Sequence, residues 1–230
     1  VSLIIENPVF GIAVTLFTYY LGLCLRKRKK SLLFHPFLIS LVLIILILEL
    51  FNIDYASYNQ GGEYITYLLQ PATVALAVPM YRKIDLLRKK APVILGTTFV
   101  GAVWGILIVL GLGYLTGTGT ELLISMVPKA TTTPIAVGIS AEIGGQASLT
   151  VGMVILNGLL GGMFGLKLLK YFKITSPIAR GLSMGMSAHG IGTGRILEES
   201  EAEGAVSGLA IGLMGFFTAL TAPLIIGFFF

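Results

Sequence analysis

Six stretches of the chain carry no Asp, Glu, Lys or Arg: residues 7–25, 31–48, 64–81, 91–120, 143–166 and 204–230. Each has about the 18 or more residues a helix needs to cross a hydrocarbon core of roughly 30 Å. They are apolar all round, with no polar face recurring at helical spacing, so they do not read as helices lying on a surface. The pattern predicts six membrane crossings. The third contains "QPATVALAVP", with Pro71 and Pro79 inside it. Proline removes a backbone donor and breaks the helical ladder, so this crossing is expected to be kinked or discontinuous. The first stretch is long and aromatic, and no small-residue cleavage site follows it, so it reads as a crossing rather than a signal peptide.

Two stretches fit neither class. Residues 117–145 and 177–203 are too polar and glycine-rich for ordinary crossings, yet too apolar for long loops. Each contains the same phrase, "GISAEIGG" at 138–145 and "GMSAHGIG" at 185–192. If each dips into the membrane and returns to its own side, a hairpin followed by a crossing occurs twice with opposite orientation. Two broken full crossings are the alternative. The expected fold is an all-α integral membrane protein with about six transmembrane helices and two re-entrant or broken-helix segments. Residues 1–116 form a scaffold with a broken third crossing. Residues 117–230 form an inverted repeat, 117–170 and 177–230. Inverted repeats place their site where the copies meet near the midplane.

Composition supports lipid as the solvent. Apolar residues make up 55% and charged residues 12%, with mean hydropathy +0.91; a soluble domain carries about a quarter charged residues. The net charge of +5 is gathered in "RKRKK" (26–30), "RKIDLLRKK" (82–90) and "KLLKYFK" (167–173), each beside an apolar window. Glu6, Asp54, Glu63 and Glu121 lie at the opposite ends. By the positive-inside rule the basic clusters are cytoplasmic and both termini are outside. Basic residues placed this way are topology signals, and no nucleic-acid partner is expected. Tyr55, Tyr58, Tyr64 and Tyr67 read as an aromatic belt around an outer loop. The acidic "EESEAE" run reads as a solvated turn, and Arg180 as an interfacial residue. Cys24 is the single cysteine, so no internal disulfide forms. Two distant His give no metal spacing, and no phosphate-loop pattern occurs. Neither a metal, a cofactor nor an enzymatic activity is expected.

The candidate chemistry sits in the twin phrases. Glu142 and His189 occupy matching places in them, and ionisable groups inside membrane segments are costly enough to imply a role. Either they carry a coupled proton, or they pair and hold the repeats together. Ser140 and Ser187 gain weight from the same duplication. Thr131, Thr132 and Thr133, between Lys129 and Pro134, offer hydroxyls either to a carboxylate or to freed backbone carbonyls. Arg195 suits bidentate binding of a carboxylate, or pairing with Glu198 or Glu199. Lys129 is a second candidate cation, and Gln70 and Thr73 would add a third wall. Pro71, Pro134, Gly144, Gly145, Gly190 and Gly192 are the expected backbone hinges. Exposed helix N-termini there would favour an anion. The glycine pairs of "GAVWG" (101–105) and "GGMFG" (161–165) read as helix packing.

Three stretches resemble the LrgB/CidB family: "PATVALAVPMY" (71–81), "PKATTTPIAVGISAEIGG" (128–145) and "GLSMGMSAHGIGTGRILEESEAEGAVSGLAIGLMG" (181–215). The resemblance covers essentially the whole chain. It implies a bacterial inner-membrane protein working beside a smaller LrgA/CidA-type membrane protein. Two activities go with such a family: holin/antiholin-like control of murein hydrolase activity and autolysis, and transport of small carboxylates such as pyruvate or glycolate. A plant relative is the chloroplast glycolate/glycerate transporter. Residues and resemblance together lead to the expectation of a proton-coupled monocarboxylate carrier, with an autolysis regulator lacking its own substrate as the alternative. Glycine faces buried in lipid suit a homodimer.

Overall fold

The computed structural model describes residues 5, 7–28, 36–68, 71, 74–75 and 77–230. It divides into two compact units, Val1–Ala75 and Leu76–Phe230. Among the described residues every regular element is helical. Four helices are long and apolar enough to cross a membrane: α1 (Pro8–Arg28), α6 (Ala91–Thr116), α9 (Ala147–Tyr171) and α11 (Glu201–Phe229). A fifth apolar helix, α2 (Pro36–Leu50), is shorter.

The first unit holds α1, α2 and α3 (Tyr55–Tyr67). Its helices meet through small residues. A Cβ on Gly22 would strike the Pro36 backbone, and one on Gly61 would strike the chain at Pro8, Gly11 and Ile12. Hydroxyls join the same contacts, Thr18 to Ser40 at 2.9 Å and Thr15 to Tyr58 at 2.8 Å. The expected outer loop around Tyr55–Tyr67 is instead a helix, started by the Asp54 carboxylate accepting from the Ala56 N–H at 3.2 Å. The third window is not one helix. α3 closes at Tyr67, and α4 (Ala77–Arg82) is only six residues long. Gln70 and Thr73 lie outside the described residues.

In the second unit α4 leads through α5 (Ile84–Lys89) into α6. α6 and α11 run side by side in the same direction. Ile94 packs with Val206 and Ala210, whereas Ile106 and Leu110 pack with Ala222 and Ile226. Buried positions on α11 include Gly204, Ala205, Ser207, Ala210, Gly215 and Thr218, while Phe216, Leu220 and Leu224 face outward. Small residues inside and large apolar ones outside is the pattern of helices in lipid. This is a multi-pass membrane fold.

Between the long helices the chain twice reverses. α7 (Thr120–Met126) is followed by turns at 127–132 and then by α8 (Thr133–Glu142). α10 (Pro177–Leu197) looks continuous by its span, but His189 has φ 38° and ψ −129°, far from helical values. The chain turns back there. Gly192 lies against the Met184 carbonyl, and Met184 and Ile196 share one cluster with Leu169. In a straight helix residues 184 and 196 would be about 18 Å apart. The reversal also brings Arg180 to Glu199, with 3.7 Å between their charged atoms.

Candidate functional site

α9 is the post on which both reversals hang. Near its start, the Thr150 hydroxyl donates to the Ser140 hydroxyl at 2.6 Å and lies 3.0 Å from the Ser125 carbonyl. The Ser125 hydroxyl accepts from the Gln146 N–H at 2.8 Å. Ser125, Ser140 and Thr150 are fully buried. The two arms of the first reversal are therefore tied together at its base. Seven residues further along α9, about 10 Å away, Asn157 meets the tip. Its amide Nδ2 donates to the Lys129 carbonyl at 3.3 Å.

The same Nδ2 donates to the Ser187 carbonyl at 2.6 Å. Ser187 lies at the tip of the second reversal, which approaches α9 from its other end. His189 Nε2 donates to the Val154 carbonyl at 3.0 Å, and a Cβ on Gly158 would stand 2.5 Å from the imidazole. Down the arms of this reversal, Gly161 faces Ala188, Gly162 faces Ile191, and Gly165 faces Met184. Its base is held by Arg180, whose Nε lies 3.0 and 2.9 Å from the two Glu203 oxygens. Both side chains are largely buried, 16% and 10% exposed. Thr193 and Ser207 add a buried hydroxyl pair at 2.7 Å. Asn157 is thus the meeting point of two tips entering from opposite ends of one long helix.

The twin phrases do not occupy matching places. Ser140 sits at the base of the first reversal and Ser187 at the tip of the second, at α9 positions about 10 Å apart. Glu142 is exposed at the end of α8, while His189 is buried. Copy-by-copy spacing matched letters but not depth, because the first copy ends its arm and the second turns its chain. Ser187 and His189 do not form a nucleophile–base pair: the Ser187 hydroxyl donates to the Ser183 carbonyl at 2.6 Å, and His189 is committed to Val154.

The tip of the first reversal gathers Lys129, Thr131, Thr132 and Thr133. Thr131 is fully buried, and its hydroxyl donates to the Pro128 carbonyl at 2.9 Å. Thr132 is the N-cap of α8 but makes no side-chain capping bond. Pro134 stands in the first turn, where its missing N–H costs nothing. Lys129, Thr132 and Thr133 are half-buried. Lys129 is thus joined through Asn157 to Ser187, two residues before His189. Arg195 is not among them: it pairs with Glu198 on its own arm.

Of the expected hinges, Gly144 needs its φ of +83°, which disfavours side chains. Gly145 donates to the Ser140 carbonyl at 2.7 Å and packs on the Ser125 backbone. Gly192 is pressed on Met184, whereas Gly190 faces open space. Pro71 is exposed and helical. The acidic run is a solvated turn only in its first half: Glu198 and Glu199 are exposed in the turn, whereas Glu201 and Glu203 open α11 behind the Ser200 cap, and Glu203 is buried on Arg180. Asn157, Ser125, Thr150 and the Arg180–Glu203 pair were missed from the sequence. A lone Asn in the middle of a charge-free window was the signal available for the first.

The chain matches the LrgB-like family over residues 15–228. An "Antiholin-like protein LrgB" of Bacillus cereus (strain B4264) is 36% identical over 223 residues, 96% of this chain and 97% of that protein. The same figures hold for one of the same name from Bacillus anthracis (strain CDC 684 / NRRL 3495). No solved structure matches.

Proposed function

We propose an antiholin-like role in a membrane for this chain, which belongs to the LrgB-like family. The observation that carries it is the full-length similarity to relatives bearing that name; none of the names quoted speaks of transport. It therefore ranks ahead of the carrier expected from the sequence. In this reading the chain sits in a bacterial inner membrane with its basic clusters cytoplasmic and its termini outside. It acts beside an LrgA/CidA-type membrane protein to restrain murein hydrolase activity. The test is autolysis in a bacterial strain lacking its own LrgB-type gene. Expression of this chain should slow lysis and lower murein hydrolase activity, and more so with the partner present. Unchanged lysis with the partner present and both proteins verified in the membrane overturns it.

One observation favours a second reading, a carrier for a small anion such as a monocarboxylate. The two reversals meet at Asn157, midway along a membrane-length helix, and irregular backbone at that depth is tolerated only inside protein or beside a water-filled cavity. Taken with α9 and α11, they fit an inverted repeat of re-entrant hairpins, whose site lies between the copies. Lys129 would attract the anion, and Thr132, Thr133 and Ser187 would offer hydroxyls. Saturable uptake of labelled pyruvate, glycolate or lactate into liposomes holding the purified protein, lost in Lys129→Gln, is the expected result. Absence of uptake with and without the partner removes this reading and leaves the first standing.

A further inference from the structure

A groove of about 360 Å³ lies between α6 and the first arm of α10. Lys90 and Ser176 stand at its mouth, and Val93, Thr97, Leu182, Ser183 and Met186 line its length. From Ser176 to Met186 it follows α10 for about 15 Å. Lys90 is the only charged residue in the lining, no acidic residue is present, and no ion pair among the described residues involves Lys90. The far end of the groove closes where Met186 presses on α6 at Gly101, with no side-chain contact other than Met186 around that glycine. The neighbouring face of α6 is apolar and outward at Val93 and Val100, exposed by 55% and 62%.

We propose that this groove binds an anionic phospholipid, with the headgroup phosphate at Lys90 and Ser176 and one acyl chain along Val93, Leu182 and Met186. The commitment to a lipid rests on two features together. A single cation at the mouth of an apolar slot matches a molecule with one charged end and a long greasy one. Beyond its mouth the slot offers only the neutral hydroxyls of Thr97 and Ser183, so a small charged substrate would find no second charged group there. Basic pockets between membrane helices at the interface are known to hold such headgroups. Its far end at Met186 adjoins Ser187 of the second tip, but the headgroup end at Lys90 depends on neither functional reading.

The test uses the full-length protein purified in detergent, equilibrated with equal amounts of phosphatidylglycerol and phosphatidylcholine, and weighed with its retained lipids by native mass spectrometry. The wild type should retain phosphatidylglycerol over phosphatidylcholine by about fivefold, the effect of one lysine near a membrane surface. Lys90→Gln should abolish that preference. Thr97→Phe, which fills the groove from α6 while keeping Lys90, should remove both lipids. Lys170→Gln, outside the lining, should leave the preference intact. Equal retention of both lipids by the wild type overturns the proposal. So does an equal loss in Lys170→Gln and Lys90→Gln, which would reveal a diffuse basic belt. A lipid-free dimer overturns it too, since a second copy would then cover the groove. If Thr97→Phe does not accumulate, the comparison of Lys90→Gln with Lys170→Gln decides alone.

Discussion

Replacing Asn157 with Leu keeps the side chain's bulk and removes both donors that join the hairpin tips. Two bonds disappear at once, to the Lys129 and Ser187 carbonyls. A hydrogen bond contributes roughly 0.5–1.5 kcal/mol net, with an average near 0.6 between membrane helices. The two together are worth about 1–3 kcal/mol. Other ties remain, His189 to Val154 and Thr150 to Ser140, so the loss should appear as local opening of the tips. That opening should become about five- to 150-fold more frequent. The assay is maleimide labelling of single cysteines in a Cys24→Ser background. Thr131→Cys reports the first tip and Ala188→Cys the second, both fully buried positions. Ala222→Cys, buried with Ile106 and Ile226 in a cluster that the arms of the first reversal also join, reports opening that spreads beyond the tips. Asn157→Leu should accelerate labelling at 131 and 188 but not at 222. No acceleration at either tip refutes the clasp. An equal rise at all three positions means that Asn157 acts on overall stability alone.

Three further outcomes follow from the same contacts. His189 holds a φ of 38°, in the region glycine prefers, at a strain of roughly 1–3 kcal/mol; His189→Gly should therefore melt above His189→Ala in detergent, the reverse of the usual helical order, and the opposite ranking refutes the strained turn. Glu203→Gln leaves the largely buried Arg180 guanidinium with only the longer 3.7 Å contact to the exposed Glu199, so stability should fall by no more than the lower end of roughly 3–5 kcal/mol; the double change Arg180→Met with Glu203→Leu should recover much of it, and a double variant as unstable as the single one contradicts the account. Gly185→Ala drives a Cβ into the Ser207 carbonyl and Ala210 and should cost about 1–3 kcal/mol, while Gly194→Ala, facing open space, should be neutral or stabilising; similar melting of the two variants refutes close packing of α10 on α11.

The long helices were legible because absence of charge over a membrane's width is a strong signal, and four of the predicted windows became long helices with shifts of a few residues at their ends. The glycine pairs at 101 and 105 and at 161 and 165 were read as packing sites, and three of these four positions face side chains at contact too close for a Cβ: Met186, Ala188 and Met184. What stayed hidden were features of depth. A turn made by one His at φ 38° leaves no mark of its own in a string of letters, so nothing distinguished His189 at a tip from Glu142 at a base. The Tyr-rich segment reads as a loop because its polar side chains obscure Gly61, the residue that packs it on α1.

Asn157 shows why the shared phrase misled and yet pointed to the right region. A polar amide in a membrane-length helix needs partners, and side chains from a regular neighbouring helix would have served. Here the partners are two backbone carbonyls, at Lys129 and Ser187, freed where the chain leaves helical geometry. Broken backbone creates acceptors that regular helices consume internally, and a single Asn with two donors can satisfy one from each reversal. The twin phrases supply the glycines and small residues that permit such breaks. The residue joining the breaks lies between the phrases, on the helix that separates them. Any motion of one tip relative to the other, whether for passage of an anion or for engaging a partner, must therefore break at least one of the two bonds.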